Sequence, residues 1–132
     1  MARRQSGTLT EVELEFMQVL WKDGEAAPED VQKALLDSGR SLTGGSIRKM
    51  LSILVRKGYV SRKKQGKKYV YSPNILEEQA KTSMIRELVN RAFGGSASLM
   101  VATLIESGGD IPADDLRKIE RIIAERKKEE GK

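Results

Sequence analysis

Apolar residues recur every three to four positions through the first 57 residues, a spacing that predicts three short amphipathic helices. Thr10 and Glu13 form the Thr-x-x-Glu pattern of a capping box at the start of the first helix, and Asp23-Gly24 should end it. Pro28 suits the first turn of the second helix, because an amide hydrogen at that position would have no partner within the helix. The third helix is expected over residues 43–57.

After the third helix the period of the pattern changes from 3.6 to two, which predicts a β-hairpin. Two alternating segments, residues 59–64 and 67–72, flank Gln65-Gly66. Gly66 can supply the positive φ of a tight turn, and Pro73 should close the hairpin. Three helices followed by a hairpin is the order of a winged helix-turn-helix domain, with the third helix as recognition helix and the hairpin as wing.

The rest of the chain predicts three further helices, over residues 75–93, 97–106 and 113–128, separated by glycine pairs. Helices this short rarely bury enough apolar surface to be stable alone, so we expect a second copy of the chain to complete their core. The alternative is a monomer in which these helices pack back on the winged domain. The residues predicted to form the dimer contact are Met84, Ile85, Leu88, Val89, Phe93, Leu99, Leu104, Leu116, Ile119, Ile122 and Ile123.

The 132-residue chain contains neither cysteine nor histidine. This composition excludes disulfides, thiolate or imidazole metal sites, cysteine nucleophiles and Ser-His-Asp triads. The sequence also lacks a glycine-rich phosphate loop of Walker type. We therefore expect no enzyme activity, no metal site and no cofactor. The polar start and the lack of a long apolar stretch predict a cytoplasmic protein without membrane insertion.

The formal net charge of +5 conceals an uneven distribution of charge along the chain. Residues 38–76 contain ten basic residues and no acidic one, whereas the rest of the chain carries 14 basic and 19 acidic residues. Solvated faces normally interleave both signs, so this segment favours contact with a polyanion over the alternative of a solvent-facing lysine-rich surface. Because the segment coincides with the predicted recognition helix and wing, double-stranded DNA is the expected partner.

A helix that enters the major groove needs small or polar side chains on its outward face, and a wing needs cations near phosphates. On the third helix, the residues predicted to contact DNA are Thr43, Gly44, Gly45, Ser46, Arg48, Lys49 and Ser52. On the wing, the predicted phosphate contacts are Arg62, Lys63, Lys64, Lys67 and Lys68.

The pair Gly44-Gly45 has two interpretations. Either it loosens the turn, so that the helix proper starts at Ser46, or the absence of side chains lets the backbone approach the DNA closely. Tyr69 and Tyr71 fall on one face of the second wing strand, where we expect packing beneath the wing rather than stacking on nucleotide bases. Trp21 is likewise expected to pack in the core.

The predicted fold class is mainly α with a small β-hairpin wing, a winged helix-turn-helix followed by a helical dimerisation region. We predict a flexible N-terminal tail over residues 1–8, in which Arg3 and Arg4 could alternatively form a minor-groove arm. The winged-helix DNA-binding domain is predicted over 9–73 and the C-terminal helical dimerisation region over 74–132. A symmetric dimer presents two recognition helices, so the expected operator is an inverted repeat.

Several segments, in this order and spacing, resemble the penicillinase-repressor family of BlaI, MecI and CopY type, from about Leu9 to Ile123. The resemblance implies a dimeric transcriptional repressor that binds palindromic operators, often upstream of antibiotic-resistance or metal-homeostasis genes. The segments that carry it are Leu9-Thr10-Glu11-Val12-Glu13-Leu14-Glu15, Val19-Leu20-Trp21, Met50-Leu51, Lys57-Gly58-Tyr59-Val60, Tyr69-Val70-Tyr71-Ser72-Pro73, Phe93-Gly94-Gly95-Ser96 and Asp114-Asp115-Leu116.

This chain departs from the family's pattern at three places. Members commonly carry an aromatic and two small hydroxylated residues where this chain has Gly44, Gly45 and Ser46, so the base preference does not carry over. Copper-responsive members use cysteine pairs, which this chain lacks. The β-lactam-responsive members are cleaved at an Asn-Phe bond, and the corresponding stretch here, residues 101–104, reads Val-Ala-Thr-Leu. A regulatory protease is thus a candidate partner without a recognised cleavage site.

The competing function is a winged-helix module that binds an acidic partner protein through the same basic face. Charge alone does not separate the two functions, because an acidic protein and a duplex are both polyanions. Competition by duplex DNA distinguishes them.

Overall fold

The computed structural model describes residues 8–107 and 109–131. Residues 1–7 of the predicted N-terminal tail, with Arg3 and Arg4, lie outside this description. The described elements follow the order α1 (Glu11–Asp23), α2 (Pro28–Asp37), α3 (Gly44–Lys57), β1 (Val60–Gln65), β2 (Lys68–Pro73), α4 (Glu77–Ala92), α5 (Ala97–Ser107) and α6 (Ala113–Glu130). The mainly helical fold with one antiparallel hairpin confirms the predicted fold class.

The predicted capping box at the start of α1 is present. The Glu13 amide donates to Thr10 Oγ1 at 3.1 Å, and the Thr10 amide donates to Glu13 Oε1 at 2.8 Å. Two of the amides that no helical carbonyl can reach are thereby satisfied. Gly24, with φ of +84°, ends α1 at the predicted position.

The third helix begins at Gly44, so the interpretation that the helix proper starts at Ser46 is wrong. Thr43 is the N-cap, and its hydroxyl accepts a hydrogen bond from the Ser46 amide at 3.1 Å. This bond closes the first turn and offsets the low helix propensity of the two glycines. Gly58, in the left-handed region with φ of +89°, ends α3 as predicted.

The hairpin forms as predicted, but its turn is shifted by one residue. Gln65 pairs with Lys68, so the two loop residues are Gly66-Lys67 rather than Gln65-Gly66. Gly66 has φ of +63° and stands first in the loop, where a type II′ turn requires glycine. Pro73 closes the hairpin as predicted, because it is the last residue of β2 and lies opposite Val60.

The core of the winged-helix part lies between α1, α2, α3 and the base of the hairpin. Tyr71 anchors the hairpin to this core: it is 4% exposed and forms an isolated bridge with Ala26, in which each amide donates to the other's carbonyl at 2.9 Å. Trp21 packs against the core as predicted, and its Nε1 donates to the Ile75 carbonyl at 2.9 Å. The buried core residues are Phe16, Met17, Leu20, Ala26, Val31, Leu35, Ile47, Leu51, Leu54, Tyr59, Val60 and Tyr71.

The chain divides into two compact units, Met1–Ile85 and Arg86–Lys132. The predicted functional boundary between residues 73 and 74 stays a prediction. In the second unit, Ser96 caps α5, since its hydroxyl accepts from the Leu99 amide at 3.1 Å. Across the residues described, no single helix has the length and apolar character needed to cross a membrane.

Candidate nucleic-acid interface

The turn between α2 and α3 is held by a side chain. Gln32 Nε2 donates to the Leu42 carbonyl at 2.9 Å, immediately before the N-cap Thr43. Together with the Thr43 cap, this contact fixes where α3 starts relative to α2.

The two faces of α3 differ sharply in burial. Ile47, Leu51 and Leu54 are fully buried on the inward face. The predicted DNA-contacting residues lie on the other side, where Gly44 is half-buried and the rest are exposed: Thr43, Gly45, Ser46, Arg48, Lys49 and Ser52. Arg56 is also exposed, although it is not among the predicted contacts.

All predicted wing cations are exposed, but they point to both faces of the hairpin. Arg62 lies opposite Tyr71, and Lys64 lies opposite Tyr69, so these four side chains share one face. Lys63 and Lys68 are on the other face, and Lys67 is in the turn.

Tyr69 corrects a sequence prediction. It is 41% exposed, whereas Tyr71 on the same face is buried, so only Tyr71 packs beneath the wing as predicted. The guanidinium carbon of Arg62 lies 4.7 Å from the centroid of the Tyr69 ring, a cation–π contact. The contact crosses the strand pair diagonally, and it restricts the motion of an otherwise exposed arginine.

A groove of about 410 Å³ lies between α3 and the wing. It brings Arg48 and Ser52 of α3 together with three predicted wing residues, Arg62, Lys67 and Lys68. The other predicted contact residues, including the whole first turn of α3 and Lys63 and Lys64, do not line it. The remaining lining residues are Pro28, Glu29, Tyr69 and Tyr71.

Two of the ten basic residues in segment 38–76 form hydrogen-bonded ion pairs within the fold. Lys57 Nζ donates to both Glu13 carboxylate oxygens, at 2.8 and 3.1 Å, and to the Thr8 carbonyl. Arg40 donates to the two carboxylate oxygens of Glu15 at 2.7 and 2.8 Å. The acidic partners come from α1, outside the segment, so sequence proximity gave no signal for either pair.

These pairs change the acidity of the two glutamates. Burial by itself raises the pKa of Glu13, but the hydrogen bonds from Lys57 and Thr10 outweigh it and hold the pKa below its ordinary value. The hydrogen bonds from Arg40 lower the pKa of Glu15, and the carboxylate in turn raises the pKa of Arg40. Both glutamates are therefore ionised at neutral pH.

The residues predicted for a dimer contact differ in how far they are exposed in the single chain. Five of them are half-buried: Met84, Val89, Phe93, Leu116 and Ile119. The other six are exposed, between 45% and 64%: Ile85, Leu88, Leu99, Leu104, Ile122 and Ile123.

Comparison with known proteins gives a consistent result across most of the chain. The sequence model of the penicillinase repressor family matches residues 9–125. The penicillinase repressor of Bacillus licheniformis is 28% identical over 119 residues, which cover 90% of this chain and 91% of that protein. The methicillin resistance regulatory protein MecI of Staphylococcus aureus is 22% identical over 115 residues, 87% of this chain and 92% of that protein.

Among solved structures, the solution structure of the DNA binding domain of the repressor BlaI matches with a TM-score of 0.50 at 32% identity. The match covers 57% of this chain and 90% of that domain.

Proposed function

Because the chain belongs to the penicillinase repressor family, we propose that it is a DNA-binding transcriptional repressor that occupies an inverted-repeat operator as a homodimer. The family consists of transcriptional repressors and not enzymes. The matching structure is that of the DNA binding domain of the repressor BlaI, which supports the same role for the winged helix here.

The observation that carries the proposal is the groove between α3 and the wing. Four cations from the two elements line it, Arg48, Arg62, Lys67 and Lys68, and they belong to the segment of chain without acidic residues. The exposed face of α3 supplies small and polar side chains of a size that fits the major groove. The wing cations then neutralise phosphates beside the major groove of the DNA. Each neutralised phosphate releases counterions.

The exposed apolar side chains of α5 and α6 support dimerisation. Leu99, Leu104 and Ile122 are each more than half exposed, and large apolar side chains left exposed in a single chain are commonly buried at an interface. A second copy would cover these side chains on both chains at once and would set two recognition helices on two half-sites. Sedimentation equilibrium separates this proposal from the monomer alternative.

The test uses the full chain and a duplex enriched from a random-sequence library by the wild-type protein. We expect fluorescence anisotropy to show tight binding whose affinity falls steeply with salt concentration. Absence of measurable binding at low salt would contradict the function. A scrambled duplex of the same composition serves as the control for sequence preference.

The two elements should respond differently to substitution. Lys67→Ala combined with Lys68→Ala should weaken binding to the enriched and the scrambled duplex alike and lower the salt slope by about 2, since each phosphate contact contributes about 0.9. Ser46→Ala or Arg48→Ala should instead change which sequence is preferred. Wing variants that change the preference would contradict these assignments.

The second candidate is the protein-interaction module, favoured by the same basic face. Under that function an acidic partner protein would remain bound when excess duplex DNA is added. Under the repressor function the duplex displaces it. A repressor that binds genomic DNA would act in the cytoplasm.

A regulatory protease stays a candidate partner. Residues 101–104 lie inside α5, so hydrolysis there requires local unwinding of that helix. Incubation with a protease before and after addition of DNA would show whether operator binding protects α5.

A further inference from the structure

The guanidinium of Arg48 lies close to two features of the fold, the Glu29 carboxylate and the backbone of Gly44. Its Nη2 lies 4.0 Å from Glu29 Oε1, in the first turn of α2. A Cβ atom built on Gly44, one turn earlier in α3, would lie only 3.1 Å from Nη1 of the same guanidinium. Arg48 therefore bends back over the bare backbone of Gly44 and towards Glu29.

We propose that Glu29 is a positioning residue for Arg48, and that Gly44 leaves the space in which Arg48 is held for reading a guanine in the major groove. This inference rests on the DNA-binding function proposed above. Arginine reads guanine through two parallel hydrogen bonds, to O6 and N7, so its geometry matters more than its charge. An arginine held before contact loses less side-chain freedom on binding.

The chemistry of the groove argues that Glu29 has a role other than attraction to DNA. In the part of the chain that the structure describes, it is the one acidic residue among those that line the groove. A carboxylate beside phosphates weakens binding to every duplex alike. Glu29 lowers affinity in general, so we expect its benefit to be in sequence preference. Sequence preference is a difference between the affinities for two duplexes, and Glu29 can increase this difference even while both affinities fall.

The space at Gly44 is the second, independent element. A Cβ at 3.1 Å is closer than an ordinary van der Waals contact, so a side chain at this position forces the Arg48 guanidinium to shift by a few tenths of an ångström. Gly45 is different, since a Cβ there would meet Thr43 Oγ1 at 4.0 Å and nothing nearer. The two adjacent glycines thus have different consequences for Arg48.

The first experiment compares Glu29→Gln with Glu25→Gln. Both remove one negative charge, and Glu25 is exposed in the loop before α2 and does not line the groove. Anisotropy titrations use the enriched duplex and its scrambled control. The measured quantity is the affinity for the enriched duplex divided by the affinity for the scrambled duplex. For Glu29→Gln we expect stronger binding to the scrambled duplex, and we expect this ratio to fall by about two- to fivefold, the effect of one exposed ion pair. For Glu25→Gln the ratio should stay unchanged.

The second experiment replaces Gly44 with alanine. Gly44→Ala should lower the ratio of affinities without lowering the thermal unfolding temperature, because alanine favours the helix. Gly45→Ala controls for the same gain in helix propensity in the unfolding measurement. An unchanged ratio for Gly44→Ala would overturn the role given to the space above Gly44.

A double-mutant cycle decides whether Glu29 acts through Arg48. Arg48→Ala alone should lower the ratio by about five- to 150-fold, the effect of losing a bidentate base contact. In the Arg48→Ala background, Glu29→Gln should no longer change the ratio. A persisting effect overturns the positioning role even though the protein binds DNA, whereas failure of the wild type to bind any duplex overturns the function itself.

Discussion

The winged-helix elements and the last two helices differ in how many of their apolar side chains are buried. Phe16, Leu20 and Leu51 are fully buried within the winged helix, whereas α5 and α6 contain no buried residue in the part that the structure describes. The first region therefore has a core of its own. The second region leaves large apolar side chains such as Leu99, Leu104 and Ile122 exposed in the single chain.

The polar contacts show the same difference. In the winged helix, ion pairs join residues far apart in sequence: Lys57 with Glu13, and Arg40 with Glu15. From α4 onwards, the ion pairs between described residues all join neighbours three or four positions apart on one helix, such as Arg91 with Glu87. Local pairs support a helix but do not hold one helix against another. Among the described ion pairs, those that join residues distant in sequence therefore all lie in the winged helix.

The largest expected effect is on the core of the winged helix. Leu51→Ala removes a fully buried side chain and leaves a cavity, so the free energy of unfolding should fall by about 2–5 kcal/mol. Denaturant titration followed by circular dichroism measures it. Leu36→Ala, the same substitution at a position that is 58% exposed, should cost less than about 1 kcal/mol. Equal losses of stability for Leu51→Ala and Leu36→Ala would contradict the assignment of Leu51 to a well-packed core.

A smaller effect is expected on association through the second region. Leu104→Asp places a carboxylate on the exposed apolar face of α5, where no partner for it is expected in a dimer contact. We expect the dissociation constant of the dimer to rise by about 100-fold, or about 2.7 kcal/mol. Sedimentation measures it, with Ser98→Asp on the same helix as control. A dimer unaffected by Leu104→Asp would show that α5 is not the contact.

The smallest effect is expected on the pH dependence of stability. The pKa of Glu13 in the folded protein lies below its ordinary value of 4.5, so its contribution is complete above pH 4.5 and is lost as the pH falls through the lowered value. The free energy of unfolding of the wild type should therefore fall more steeply in acid than that of Glu13→Gln. Urea titrations between about pH 3 and 7 measure the slopes. The same slope in both proteins would show that Glu13 does not contribute to the pH dependence of stability. Glu25→Gln is the control.

Local signals in the sequence predicted most of the elements. The Thr10–Glu13 capping box, Pro28 at the first turn of α2 and Gly58 at the end of α3 act within a few residues, and all three have the predicted role. The change of period at the hairpin was likewise sufficient to find two strands. These features depend on neighbouring residues, which the sequence displays directly.

Features that depend on distant residues escaped prediction. Lys57 and Glu13 are 44 positions apart, and the bridge between Ala26 and Tyr71 joins a loop to the wing. The turn at Gly66-Lys67 differs by one position from the prediction because the pairing of both strands, and not the glycine alone, sets the register. Of the predicted interface, the outward face of α3 followed from helical spacing, whereas the groove and Glu29 within it required the three-dimensional arrangement.

The hydrogen bond from Trp21 to the Ile75 carbonyl gives the molecule an intrinsic optical reporter. Trp21 is the one tryptophan of the chain, and it contacts the backbone two residues before α4 begins. Its emission will change when the winged helix unfolds. Fluorescence can therefore follow the unfolding of this region in an unlabelled protein, while far-ultraviolet circular dichroism follows the helices of the whole chain.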